Sequence, residues 1–315
     1  MGAVPENMVS VDLTGNGQAP WHGIGTVVAE ALTAEKALEL SGLDWEVKLN
    51  PVYDGDMKPI DGFFATTRSD NGAVLGIVGK KYRVINNVTG FSMVDTILGD
   101  DSAKIHTAGD LFGGKTVFIL AKLPEDVKVA GDTISTYFLL TNTHDGSGAL
   151  KCITTPVRVV CQNTLNFAIG GAKRTFSVRH TTSYEEQLST ARTVLGITRS
   201  YYTSFVQLAE NLAAQAFTKA AFEDLCKSLL PVPTDEGRGR TTAMAEHEKL
   251  MIAYNVDNLD NIRGTKLGAL NAVADYADHA RRLVGVPAVR RDNAYARTFT
   301  GTDLKDRALE ILTGV

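Results

Sequence analysis

Lysine and arginine recur in three stretches of this sequence, and clustered cations are what a phosphate backbone requires. Lys80, Lys81 and Arg83 follow a candidate strand. Lys151, Arg158, Lys173, Arg174 and Arg179 lie between Asp145 and Thr182 against the single acid Asp145, a net charge of +4. Arg281, Arg282, Arg290, Arg291 and Arg297 form a run near the C-terminus. Gathered by folding, these residues could line a groove that neutralises phosphates, with Tyr82 or Phe176 offering a ring for base stacking. The competing reading is scattered, solvated charge, and Arg281 and Arg282 also suit a helix C-terminus beside the macrodipole. The first two stretches supply the candidate nucleic-acid contacts.

A second constellation is His144, Asp145, Cys152, Cys161 and His180. A thiol nucleophile needs a base within hydrogen-bond reach, and zinc needs about four converging ligands. The spacing matches neither C-x-x-C nor H-E-x-x-H, so only tertiary folding could gather these groups. Asp145-Gly146 is explained by a turn, and Cys152 and Cys161 by their behaviour as small buried hydrophobes. No catalytic residue, metal ligand or cofactor is therefore expected, and an enzyme built on His144 and Cys161 is the weakest alternative. Gly109, Gly114, Lys115 and Thr116 satisfy the spacing of a phosphate-binding loop, G-x-x-x-x-G-K-[ST]. That motif needs a helix after it, whereas Val117-Phe118-Ile119-Leu120 reads as a strand, so two strands joined by a Gly-Gly turn are expected. Trp21-His22-Gly23 could dock a partner, but a tryptophan near a terminus more often pins the chain to the core.

The elements that must position these residues follow from composition and periodicity. The chain has 315 residues, of which 44% are apolar and 22% charged, enough to bury a sizeable core. The net charge of −4 means that any polyanion site must be a local basic patch. The N-terminal stretch lacks the basic and apolar regions of a signal peptide, and Glu6 argues against myristoylation. No apolar run reaches the ~18 residues of a membrane span. Three cysteines, Cys152, Cys161 and Cys226, are too few and too irregular for a disulfide framework, so a reducing cytoplasm is expected.

The first 20 residues read as an extended arm. Thr33 caps a short helix over Ala34 to Leu40 that Gly42 stops. Strands are expected at Trp45–Leu49, Gly62–Ser69 and Val74–Lys81, with Asp70-Asn71-Gly72 as a type I′ hairpin signal. Phe91 to Leu98 reads as a helix, so the opening order is helix, three strands, helix. Lys115–Ala121 is a central strand covered on both faces. Thr133–Asn142 and Gly148–Thr155 form a hairpin that Pro156 ends; Val157–Ile169 fits strand or helix, and Thr175–His180 is one more strand. Ser183-Tyr184-Glu185-Glu186 fits a capping box for a long helix that Gly196 interrupts. Thr218 caps another helix, Pro231–Arg240 is a linker, and helices follow at Thr242–Tyr254, Lys266–Val284 and Leu304–Leu312. The layout predicts an α+β fold. Residues 1–182 form an antiparallel-sheet-rich core domain, and residues 183–315 a mainly helical region with a linker near 231–241.

Several phrases occur in a characteristic order: Ala19-Pro20-Trp21-His22-Gly23-Ile24-Gly25, Gly42-Leu43-Asp44-Trp45, Leu75-Gly76-Ile77-Val78-Gly79-Lys80-Lys81-Tyr82 and Thr141-Asn142-Thr143-His144-Asp145-Gly146. Thr155-Pro156-Val157-Arg158-Val159-Val160-Cys161-Gln162-Asn163-Thr164-Leu165, the most specific, comes next. Gly264-Thr265, Leu270-Asn271-Ala272-Val273 and Asp278-His279 follow. Over nearly its whole length the chain thus resembles a phage- and plasmid-encoded family catalogued as a domain of unknown function. Asn86-Asn87 departs from the Gln-Asn pair expected there. The resemblance implies a shared fold and a mobile-element setting, and supplies no catalytic residues. The helix–three strands–helix opening is also similar, at fold level, to phage single-strand annealing proteins, which assemble into rings or filaments and hold one strand in a basic groove.

The expected function is a phage single-stranded DNA-binding protein of the host cytoplasm, annealing complementary strands as a homo-oligomer, with no membrane partner. Lys80, Lys81, Arg83, Lys151, Arg158, Lys173, Arg174 and Arg179 are its expected phosphate contacts. The alternative of a different class is a phage protein that binds a host protein without touching DNA, which the acidic pI accommodates.

Overall fold

A computed structural model describes residues 8–11, 26–29, 32–98, 104–158, 163–164, 169, 173–181, 191–281 and 303–314. The fold is α+β, with strands dominating the N-terminal part and helices the C-terminal half. The chain divides into two units that interleave in sequence. The first comprises residues 1–124, 137–154 and 175–198; the second comprises 125–136, 155–174 and 199–315.

In the first unit, β1 (Met8–Val11) lies between β2 (Thr26–Val28) and β6 (Lys104–Leu111), parallel to the former and antiparallel to the latter. The N-terminal segment is thus not wholly an arm. Met8, Val9 and Val11 are buried, and burying those side chains outweighs the polar character of the residues around them. The sheet continues through β7 (Thr116–Lys122), β9 (Asp132–Thr143) and β10 (Leu150–Arg158), with β12 (Thr175–Val178) antiparallel on β10; residues 132–136 of β9 and 155–158 of β10 belong to the second unit. Five consecutive residues of β7, Val117–Ala121, are buried, as an apolar run without alternation predicts. One face of the sheet packs on α1 (Ala34–Leu40) and α2 (Asn87–Leu98) through Leu38, Phe91, Val94, Ile97, Ile119 and Leu140. Thr33 caps α1 by accepting from the Lys36 amide, and Gly42, at φ +63°, closes it with Leu43 N–H donating to Leu38 O.

A separate sheet, β3 (Val47–Tyr53), β4 (Pro59–Arg68) and β5 (Val74–Gly79), forms the remainder of the opening pattern. The β4–β5 hairpin forms, but its loop is not type I′. Of Asn71 and Gly72 only Gly72 takes positive φ, while the Asn71 side chain accepts from the Ala73 amide and Arg68 N–H donates to Ala73 O. That side-chain bond holds Asn71 in a longer, right-handed loop.

Pro156 does not end β10, which continues to Arg158. It falls between the pairings of Ile153 with Thr175 and of Val157 with Thr164 in β11 (Asn163–Thr164), so its missing N–H breaks neither ladder. In the second unit β8 (Val127–Val129) pairs with the start of β9. α3 (Ala191–Ala213), which belongs to the first unit as far as Thr198 and to the second from Arg199, runs unbroken through Gly196; its expected capping box at Ser183 lies outside the described residues. α4 (Lys219–Leu229) starts at Thr218, which accepts from the Ala221 amide, and Phe222 stacks on Tyr254 of α5 (Arg238–Tyr254) at 4.1 Å. Residues 231–237 form the loop between these helices. α6 (Lys266–Asp275) passes into a π-helical turn, Tyr276–Ala280, and α7 (Asp303–Thr313) completes the unit. Among the described residues no helix is long and apolar enough to cross a membrane.

Candidate nucleic-acid interface

Three of the phrases that carry the resemblance, Gly42–Trp45, Leu75–Tyr82 and Thr141–Gly146, meet in the first unit around a buried polar hub. The Arg68 guanidinium lies over the Trp45 ring at 4.4 Å and chelates Asp70 through Nε and Nη2 at 3.0 and 2.7 Å. Asn87 Nδ2 donates to the Leu43 and Trp45 carbonyls, so its Oδ1 is an acceptor, 2.8 Å from His144 Nε2. Nε2 therefore carries a proton. Burial is the chief reason its pKa falls to about 3, with repulsion from His180 second and attraction to Asp145 opposing both. A ring that is wholly buried and held neutral acts as a pillar between α2 and the loop after β9.

That loop, residues 144–148, is pressed onto β5. Asp145 Oδ1 accepts from both the amide and the hydroxyl of Ser147, closing the turn, and the His144 amide donates to Lys115 O at 2.7 Å. Gly76 allows the contact, because a Cβ there would stand 2.3 Å from the Asp145 carbonyl oxygen. The loop-like spacing Gly109–Thr116 is now explained too: β6 and β7 are antiparallel, with Phe112, Gly113 and Gly114 at positive φ, and a strand follows Lys115.

Because the folded pKa of His144 lies below its unfolded value of ~6.5, its neutral form contributes stability above that pH. The contribution is lost as pH falls toward 3, since the unfolded chain binds the extra proton. His144→Gln is expected to flatten the acid limb of the stability curve between pH 6 and 4 by up to ~1.4 kcal/mol per pH unit, one proton's worth. Urea unfolding at stepped pH reads this. Asp275 has the opposite sign, its pKa raised to about 6 by burial and by Asp278, but it is common to both proteins and cancels in the difference.

Beside the hub lies a cleft of about 630 Å³. Its lining includes Phe63, Ile77, Val78, Lys80, Lys81 and Tyr82, with Gly146 and Thr181. Tyr82 stacks on His180 with centroids 4.7 Å apart, and its hydroxyl donates to the Thr143 carbonyl at 3.4 Å. Burial, then Asp145, pushes the Tyr82 phenol upward, and burial pulls His180 downward. The Arg83 amide donates to His180 O and His180 Nδ1 lies 3.1 Å from Arg83 O, so the segment 80–83 is pinned to 179–181. Lys80, Lys81, Arg83 and Arg179 are exposed there, and Asp61 is the one acid lining the cleft among the described residues.

The other expected contacts lie elsewhere. Lys151 is exposed on β10 opposite Ser177. Arg158, Lys173 and Arg174 belong to the second unit. The side chain of Arg158 lies outside the description, and Lys173 is exposed. Arg174 is largely buried, which lowers its pKa against the opposing pull of Tyr201 and Asp306. Phe176 packs against the first unit's core, and Tyr82 has one face covered by His180, so neither is an open ring. The open ring is Phe63, 51% exposed, which the basic clusters did not flag. Cys152 is buried with its thiol pushed up to about 12, so it is no thiolate. Cys161, Trp21-His22-Gly23, Arg282, Arg290, Arg291 and Arg297 lie outside the described residues. Among the described residues no group of three or more His, Cys, Asp or Glu could hold a metal ion.

The family model of a domain of unknown function, DUF932, matches residues 74–307, and the chain belongs to that family. The match begins at β5 and takes in Ile77 to Tyr82, Gly146 and Thr181, while Asp61 and Phe63 precede it. Neither the curated proteins nor the solved structures contain a match to this chain.

Proposed function

We propose that this family member binds single-stranded DNA in the first unit's cleft. In a phage setting the proposal extends to recombination or replication in the host cytoplasm, with strand annealing by a homo-oligomer as the activity served. One observation carries the reading: Lys80 and Lys81 line the same cleft as the exposed ring of Phe63. Cations beside an open aromatic ring are the recurring apparatus of single-strand sites, the first for phosphates and the second for bases. The hub fixes this geometry, since Tyr82 and the loop at Asp145–Gly146 are held by contacts with His180, Thr143 and Gly76. Arg83 and Arg179 flank the cleft, and Lys151 adds a cation on the same unit.

Reversing both lysines, Lys80→Glu with Lys81→Glu, is expected to weaken binding of a labelled oligonucleotide at least ~100-fold at low salt. Both side chains are exposed, so the melting temperature should stay within a few degrees. Unchanged affinity would remove the cleft as the site.

A protein partner is the second reading, favoured by the exposed apolar side chains of Tyr53, Met57 and Ile60 at the β3–β4 hairpin. A host protein bound there would be retained after nuclease treatment and lost on Met57→Asp, with the lysines irrelevant.

A further inference from the structure

We infer that the cleft holds an unpaired nucleobase on a shelf made by Phe63 and Gly79; this rests on the single-strand reading above. Phe63 of β4 is directly opposite Gly79 of β5, and Ala65 is opposite Ile77. Directly paired residues, and residues two apart on one strand, share a face, so these four lie on the same side of the sheet. Phe63 and Ile77 stand well exposed on that face, and between them Gly79 contributes no side chain. A Cβ built at Gly79 would meet nothing within 4 Å, so the space beside the Phe63 ring is open. Its backbone is not in the left-handed region, so glycine is not required there by the fold. In this it differs from Gly76, three residues earlier, which packing demands.

A recess open at Gly79 and lined by an exposed aromatic ring fits a planar base. The lysines that follow Gly79 directly, Lys80 and Lys81, stand where the attached phosphates would run, and Lys80 is anchored by its amide donating to Gly62 O at 2.9 Å. A base in a duplex has both faces covered by its neighbours, so only an unstacked base can occupy the shelf. Single-strand preference then comes from the shelf, and the charge alone supplies affinity for any polyanion. The volume, about 630 Å³, lies in the range of clefts that enclose small ligands, ~300–1,000 Å³.

The test compares dT12 with an abasic 12-mer carrying the same phosphates, using the full chain, Gly79→Val and Phe63→Leu. The natural protein is expected to bind dT12 about tenfold or more tightly than the abasic strand. Both variants should bring dT12 down to the abasic level while leaving the abasic affinity, and the melting temperature, unchanged. Equal binding of the two strands by the natural protein would overturn the shelf and leave phosphate binding standing. Discrimination that survives in Gly79→Val would likewise overturn it. Binding of neither strand would remove the single-strand reading itself, and the shelf with it.

Discussion

Gly76→Ala is expected to destabilise the first unit by ~3 kcal/mol or more, among the larger effects a single methyl group can have. The added Cβ would lie 2.3 Å from Asp145 O, 2.6 Å from its Cα and 2.7 Å from its carbonyl carbon. All three are backbone atoms, so no flexible side chain can swing aside. Relief requires lifting the loop, and the loop is held by His144 against Asn87, by the His144 amide on Lys115 O, and by Gly146 under Val78. Those contacts act together, so losing one loosens the rest. For a unit of this size the loss corresponds to a fall in melting temperature of roughly 6–12 °C. Gly79→Ala is the matched control on the same strand, with open space at its Cβ, and should leave stability within ~0.5 kcal/mol of the natural protein. Differential scanning calorimetry of the pair checks both values, and equal melting temperatures would mean that the loop does not press on β5.

The second large effect belongs to the helical unit. Lys305 Nζ and Asp278 Oδ1 are 2.7 Å apart, and each side chain is 1% exposed. Burial lowers the Lys305 pKa, with Asp278 the chief opposing influence, so the buried lysine charge leans on that ion pair. Lys305→Met would leave the Asp278 carboxylate buried beside Asp275, whose own pKa is already raised to about 6. Removing one partner of such a pair costs ~3–5 kcal/mol, whereas replacing both by apolar groups is often neutral. Urea unfolding should therefore show a large loss for Lys305→Met and recovery of most of it in Lys305→Met with Asp278→Leu. A double variant as unstable as the single one would show that Asp278 is needed for its position in the π-helical turn and not merely as a counter-ion.

Much of the fold was legible because its signals are local. Thr33 and Thr218 cap helices through bonds to amides three residues on, and β7 announces itself as an apolar run. Two other signals were misread, one through a side-chain bond and one through strand pairing. Asn71 looked like a type I′ residue until its own side chain engaged the Ala73 amide. Pro156 looked like a strand end because the gap between two pairing partners of β10 is invisible in sequence. The site was legible by halves. Lys80, Lys81 and Tyr82 are adjacent in the chain, so their grouping was readable. Phe63 and Gly79 are brought together only by the β4–β5 register, and Gly146 and Thr181 only by tertiary packing. Arg174 shows the converse. Its charge counted toward a basic segment, yet burial near Tyr201 and Asp306 makes it a structural cation, and no local pattern distinguishes the two.

The measurement to make first is fluorescence anisotropy of labelled single- and double-stranded oligonucleotides, titrated with the natural protein and the Lys80→Glu, Lys81→Glu variant over a series of salt concentrations. A cleft that neutralises phosphates beside the open ring of Phe63 predicts tighter binding of the single strand, and a logarithmic salt slope of about −0.7 for each phosphate neutralised. The variant should be weak and its slope shallower by about 1.4, the share of two contacts. No binding at low salt, or a variant whose affinity and slope match the natural protein, would contradict the assignment of this cleft to nucleic acid.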